Sequence, residues 1–349
     1  MSRLRAPVIT PNDRRVVGDL RSAPPLGRDE AMWAVASGSG GVGRSTVAAL
    51  LAAGLVRRGR TVCLVDADWT GPALAPLLDV PVPLRGDPWS AAEPEAVFTP
   101  LHDDLVLLPG VGPMSGDPSR RACRRLVGRL RARSEERVVV DLPGGTTDRA
   151  LDLWLASDVP VLVTVPERIP LEATFRLLAR VFARMVRPWL DRKLGREAAG
   201  VALDEGWERA EGRAGTWMRS IARAAQLVPD EIAEAVGRRP LYLVLNRVRR
   251  GDDVDVGHAL VTAAGHGLGL DVRFRGVISE DEDGWIRARR AAGAQNAGFS
   301  ECLSADVHEL IDRIVRDVEV APPGDLLWDL KDAAALVGNA GRRNRPPWR

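Results

Sequence analysis

The chain of 349 residues predicts an α/β fold: a doubly wound, mostly parallel sheet with a helical insertion. Three observations predict it. Apolar runs such as Val159-Pro-Val-Leu-Val-Thr164 show no in-out alternation, which is the pattern of strands covered on both faces. Stretches of helical period separate those runs. A glycine-rich turn joins the first strand to the first helix, and open α/β sheets bind ligands beyond the carboxyl ends of their strands.

The elements follow in order. Residues 1–30 are rich in Arg and Pro without periodicity and read as a flexible arm. Trp33-Ala-Val-Ala-Ser37 is a short apolar strand, and Val47 to Val56 is a helix-period run. Arg60-Thr-Val-Cys-Leu-Val-Asp-Ala-Asp68 is a second strand that ends in two carboxylates. Residues 118–133 form an arginine-rich helix, and Arg137-Val-Val-Val-Asp141 is a buried strand leading into a Gly-Gly turn. Strands 159–167 and 240–247 end in polar residues. Between them, a helix near 170–190 places Leu171, Phe175, Leu178, Phe182, Met185 and Trp189 on one face. Arg176, Arg180, Arg184 and Arg187 fall on its other side, read as a solvated face. Residues 191–239 are charged and helix-prone, a helical insertion expected to project from a main domain spanning 31–320. Residues 321–349 form a tail with a short amphipathic helix.

The turn carries the chemistry. Residues 38–46 read Gly-Ser-Gly-Gly-Val-Gly-Arg-Ser-Thr, keeping the GxxxxGK[ST] spacing through Gly38 and Gly43, but with Arg44 at the lysine position. Gly40, Gly41 and Val42 supply backbone N–H groups that curl around an anion, and the helix behind adds its partial positive charge. Ser45 stands where a hydroxyl would reach Mg²⁺, with Thr46 beside it. Arginine keeps the charge of lysine but is wider, planar and forked, so the exchange is not conservative in a tight loop.

The order of loop, double-aspartate strand, Asp-Leu-Pro-Gly-Gly strand, Pro-Glu strand and Asn-ended strand resembles the MinD/ParA family of deviant Walker ATPases, within it the FlhG-like branch, from about residue 31 to about residue 318. The resemblance implies the P-loop NTPase form of the sheet, with ATP or ADP and Mg²⁺ as ligands. It implies that Asp68 orients the attacking water, with Arg44 as the loop's cation. Ser45, Asp66 and Asp141 would arrange the Mg²⁺ and its water shell. Gly144 would sense a γ-phosphate, Asn246 would lie at the adenine edge, Arg247 would be a further nucleotide-binding residue, and Pro166-Glu167 would lie next to base and ribose. Taken singly, each aspartate at a strand end is equally readable as a loop starter or helix cap. Ser39 departs from the family pattern. There the resemblance places a lysine that reaches across a nucleotide-sandwich dimer, and a serine brings no charge, which weakens a nucleotide-dependent homodimer.

Composition narrows the partners. Hydrophobic content of 45% supports a substantial core, and no apolar run reaches the 18 or so residues that span a bilayer. The start lacks the apolar stretch of a signal peptide. Cys63, Cys123 and Cys302 are far apart, without metal-ligand or disulfide spacing, so the chain reads as cytoplasmic, and the MinD/ParA resemblance implies a bacterial protein. All of the 49 basic residues but Lys193 and Lys331 are arginine, a bias that weakens any reading built on one arginine. DNA binding through 118–133 would use seven arginines, against a net charge of only +2. Membrane docking through 324–337 would set Asp325, Asp329 and Asp332 against anionic lipid.

Three functions stay open. One is a nucleotide-binding switch in the spatial positioning of cellular machinery, with slow or absent hydrolysis because phosphoryl transfer depends on positioned charge. Another is a non-enzymatic scaffold that has lost nucleotide and works through protein partners. The third is an active ATPase in which Arg44 replaces the lysine.

Overall fold

The computed structural model describes residues 31–280 and 305–319, except 82–88, 90–97, 111–113, 115, 146, 211, 212, 237, 238 and 252. The arm of 1–30 and the tail helix of 324–337 lie outside the described residues. Eight strands form one sheet: β1 (Ala31–Ala36), β2 (Val62–Asp66), β3 (Thr99–His102), β4 (Leu105–Leu108), β5 (Arg137–Asp141), β6 (Val159–Thr164), β7 (Leu241–Val248) and β8 (Val272–Ser279). Their order is β3-β4-β2-β5-β1-β6-β7-β8. Every pairing is parallel except the β3–β4 edge hairpin, so the carboxyl ends of β1, β2, β5, β6 and β7 open on one rim.

Strand residues split between two cores. Met32, Ala34 and Ala36 face one apolar cluster, while Trp33 and Val35 face the other. That two-sided burial explains why these strands carry no polar alternation. Helix α1 (Arg44–Val56) and α2 (Leu74–Leu77) cover one face together with α10 (Ala305–Glu319), whose Ile311 lies against Gly54 of α1. The other face is covered by α3 (Arg120–Arg131), α4 (Asp148–Ala156), α5 (Arg168–Leu194), α6 (Arg196–Arg209), α7 (Ala214–Ala225), α8 (Pro229–Val236) and α9 (Asp253–Leu268).

The segment after residue 191 is helical, but it joins the core instead of standing off it. Trp217 is fully buried, with its ring edge-on to Phe182 of α5 and Trp207 of α6. Its Nε1 donates to the Leu203 carbonyl at 3.1 Å. Apolar side chains spaced through a charged segment are enough to dock it, and the charges stay outside.

The polar side of α5 also departs from the solvated face expected of it. Arg184 is buried and donates to the fully buried Asp152 of α4 at 2.6 Å, and Arg149 donates to the same carboxylate at 3.1 Å. Arg180 and Arg184 both reach Asp148. Taking one partner from a buried pair leaves an uncompensated charge, which costs about 3–5 kcal/mol. Asp152→Ala is therefore expected to lower unfolding stability by about that amount in a denaturant titration. A loss below about 1 kcal/mol, the range of an exposed pair, would mean that Arg184 relaxes to water.

Candidate functional site: the glycine loop and its three acids

The loop leaves β1 at Ser37 and enters α1 at Arg44. Gly43 is the N-cap with φ of 83°, a left-handed conformation that favours glycine. A Cβ there would stand 2.3 Å from Asn246 Nδ2. Gly38 presses against α5, where a Cβ would lie 2.4 Å from the Ala173 backbone. The loop is thus wedged between β7 and α5. Asn246, at the end of β7, donates from Nδ2 to the Val42 carbonyl at 2.8 Å. Whatever it does at a ligand, this side chain holds the loop in shape.

A cavity of about 570 Å³ lies over the loop. Ser39, Gly40, Gly41, Gly43, Arg44, Ser45, Thr46, Asp68, Gly144 and Arg247 line it, together with Thr70, Gly71, Ala73, Pro76 and Leu77. Most of the residues expected from the sequence come together here. Gly38, Val42, Asp66, Asp141 and Asn246 sit beneath or behind them. Pro166 and Glu167 do not line the cavity: Glu167 is exposed and stands at the N-cap position of α5 without a side-chain capping bond. Sequence reasoning missed the wall after Asp68. Its only signal was adjacency to the double aspartate, because Thr70-Gly-Pro-Ala73 carries no motif of its own. Ser39 Oγ is buried without a hydrogen-bond partner. Arg247 is exposed, with φ of 56° at a bulge in the β7–β8 pairing. Bulges of this kind re-aim a side chain.

Arg44 does not extend into this cavity as a free cation. Its Nε donates to Asp141 Oδ1 at 2.6 Å and its Nη2 to Asp68 Oδ2 at 2.5 Å, and its side chain is only 9% exposed. Burial works against the charge, but the attraction of Asp141 and Asp68 outweighs it and holds the guanidinium above its ordinary pKa. Asp141 is fully buried. Burial raises its pKa, against the pull of Arg44 and of the Ser45 hydroxyl.

The other carboxylate oxygens are nearly all committed. Asp66 Oδ2 accepts from the backbone N–H groups of Ala73 (2.9 Å) and Leu74 (2.8 Å), and Oδ1 accepts from that of Asp68 (3.3 Å). Asp66 therefore acts as the cap of the turn leading into α2. Asp68 Oδ1 accepts from Thr70 N, Thr70 Oγ1 and Gly71 N at 2.6–3.1 Å. Only Asp141 Oδ2 is left, buried and without a partner. Mg²⁺ demands near-octahedral oxygen ligands and gives up its waters reluctantly. In nucleotide sites it therefore takes only one or two protein oxygens besides phosphates and water, and the free Asp141 Oδ2 and the Ser45 hydroxyl would fit that demand. Among the described residues no group of three or more His, Cys, Asp or Glu side chains is placed to hold a metal.

The arginine-rich helix is partly spent within the chain. Arg125 donates to the Trp89 carbonyl, Arg131 to that of Ala156, and Arg133 pairs with Glu135 and covers the Phe98 ring. Arg121 and Arg124 are exposed. Among the described residues no helix is long and apolar enough to cross a membrane.

The sheet order and the glycine loop have the fold of the MinD/ParA P-loop NTPases. Residues 29–108 match the ParA family model, described as NUBPL iron-transfer P-loop NTPase. An iron-sulfur cluster carrier protein of Pseudomonas fragi is 34% identical over 161 residues, 42% of this chain and 54% of that protein. A cytosolic Fe-S cluster assembly factor NUBP2 homolog of Monosiga brevicollis is 32% identical over 170 residues, 42% of this chain and 57% of that protein. The chain thus spans about half the length of the curated relatives it matches. The septum site-determining protein MinD complexed with Mg-ADP, from Pyrococcus horikoshii, shares the fold at a TM-score of 0.50 and 18% identity, over 84% of this chain and 100% of that one.

The Asp66 carboxyl is pushed up to about 7, by burial first and then by the charge of Asp141. A group that holds its proton more tightly folded than unfolded stabilises the fold at low pH and loses that contribution as pH rises through the folded value. Ligand-free protein is expected to lose up to about 4 kcal/mol from this source between about pH 4 and pH 7, at about 1.4 kcal/mol per pKa unit. Asp66→Asn keeps an acceptor for Ala73 and Leu74 but cannot ionise. In denaturant titrations across that range, the stability difference between wild type and variant should slope with pH; a flat difference would contradict the assignment.

Proposed function

We propose that this chain holds the phosphates of ATP or ADP in the glycine loop and hydrolyses ATP slowly or not at all. The observation that carries this reading is the loop itself. A left-handed Gly43 opens a helix of 13 residues, and the cavity above it is walled by the glycines and serines of the loop. Backbone N–H groups at a helix N-terminus bind anions without any side-chain charge.

Slow turnover follows from the same residues. Asp68, the residue expected to orient water, has both oxygens occupied, one by Arg44 and the other by the Thr70-Gly71 turn. Arg44 is held under the loop, away from the lysine's role of following the phosphates through transfer. Ser39 adds no cation, so the nucleotide-bound chain is proposed to stay monomeric.

The relatives' names point to iron–sulfur clusters, but the described cysteines do not support carrying that role over. Cys63 and Cys123 are both fully buried, and burial pushes each thiol up to about 12. Cluster ligation uses thiolates. A role in positioning cellular machinery, and membership of the FlhG-like branch, rest on the sequence resemblance alone and draw no support from these relatives.

Calorimetric titration with ATP and ADP, with product followed in the same sample, tests this reading. The expected result is binding at a Kd of about 1 mM or tighter, with turnover of about 0.01 per second or less. Absence of binding would leave the loop as a scaffold element. Turnover of about 1 per second, within the working range of phosphoryl-transfer enzymes, would favour the active-ATPase reading.

A further inference from the structure

Among the described residues, three that are not glycine take the left-handed backbone conformation: Asp79, Gln226 and Arg247. The first two close helices, where that conformation is ordinary: Asp79 follows the C-cap of α2, and Gln226 is the C-cap of α7. Arg247 lies inside strand β7 instead, at φ of 56°. It is the extra residue of the bulge, since Asn246 pairs with Ile278 and Val248 with Ser279. Backbone strain of this kind persists only where the surroundings fix it, and it gathers at ligand sites.

The bulge sets Arg247 in the wall of the loop cavity. Among the described residues lining that cavity, Arg44 and Arg247 are the two that carry positive charge. Arg44 is spent on Asp68 and Asp141. Arg247 is exposed and makes no hydrogen bond or ion pair with any described residue. The acids beside it are taken by its neighbours. Glu280, a carboxylate that senses its charge, is gripped by Arg249 through both oxygens. Asp253 accepts from the backbone N–H groups of Arg249 and Arg250 at 3.1 Å. The forked donors of a guanidinium match phosphate oxygens, and this one is unspent.

From this placement we propose that Arg247 is the cation that meets the phosphate chain of the nucleotide. The inference rests on the nucleotide reading above and deepens it, by naming the side chain that recognises the polyanion. Charge favours this role over a contact to the base. One guanidinium stands against Asp68 and Asp141, so the ground beneath the loop is negative, and the nucleotide brings several negative charges more. A second cation offsets that repulsion, whereas a neutral base gains much less from it.

Arg247→Gly is the informative variant, because glycine takes this φ without strain and the bulge survives the loss of the side chain. The test is calorimetric titration of the full chain with ADP and with adenosine, both in the presence of Mg²⁺. The variant is expected to bind ADP about tenfold or more weakly than the wild type and adenosine within about twofold of it. Arg247→Lys, which restores a point charge, is expected to recover most of the ADP affinity. Salt gives a second readout that needs no adenosine signal: the wild-type Kd for ADP should rise with ionic strength more steeply than that of the glycine variant. Equal losses of ADP and adenosine would overturn the proposal in favour of a base contact. An unchanged ADP affinity, or equal salt slopes, would overturn it while leaving nucleotide binding intact. A wild type that does not bind ADP would overturn the nucleotide reading itself.

Discussion

One arginine between two aspartates organises this site. Asp66 and Asp141 end adjacent parallel strands and are paired in register, and Asp68 follows two residues on. Three carboxyl groups gathered at one rim repel each other and resist burial. Arg44 offsets one unit of this charge, through two short charge-assisted bonds to Asp141 and Asp68. Without that cation, two buried acids would be unpaired, and removing one member of a buried ion pair is far more costly than replacing the whole pair.

The rest of the site hangs from that contact. Arg44 is the first residue of α1, so fixing its side chain on β2 and β5 fixes the start of the helix over the sheet. Asn246 ties the middle of the loop to β7, and Gly38 seats its beginning on α5. The loop is thereby held from three sides in a shape that presents its amides upward. Asp66 caps the turn into α2 and so builds the cavity wall that contains Pro76 and Leu77. A site assembled this way is preorganised for an anion, but Arg44 and its acids are already occupied with each other. That combination is the basis of the proposal that the site holds a phosphate chain without cleaving it.

Much of this was legible in the sequence because it is local. The strands β1, β2, β5, β6 and β7 were readable as unbroken apolar runs, and the loop as glycine spacing followed by helical period. Whatever depends on a distant partner was not readable. Arg184 looked solvated because nothing near it in sequence says that Asp152 waits on α4, 32 residues away. The helices after residue 191 looked external because their charges outnumber the few aromatic side chains that dock them. The β3–β4 hairpin, four residues to a strand, gives too little pattern to detect. Most of the residues that line the cavity over the loop are legible from motif order. Their roles were less visible: Asp66 serves as a cap, and Arg44 serves the acids. Side-chain direction is set by packing, and spacing does not encode it.

The most direct test of the central contact is a crystal structure of the chain grown with ADP and Mg²⁺ together. The account predicts phosphates on the loop amides, with Arg44 still within hydrogen-bond distance of both Asp68 and Asp141. An Arg44 side chain turned out to solvent, away from both carboxylates, would contradict it.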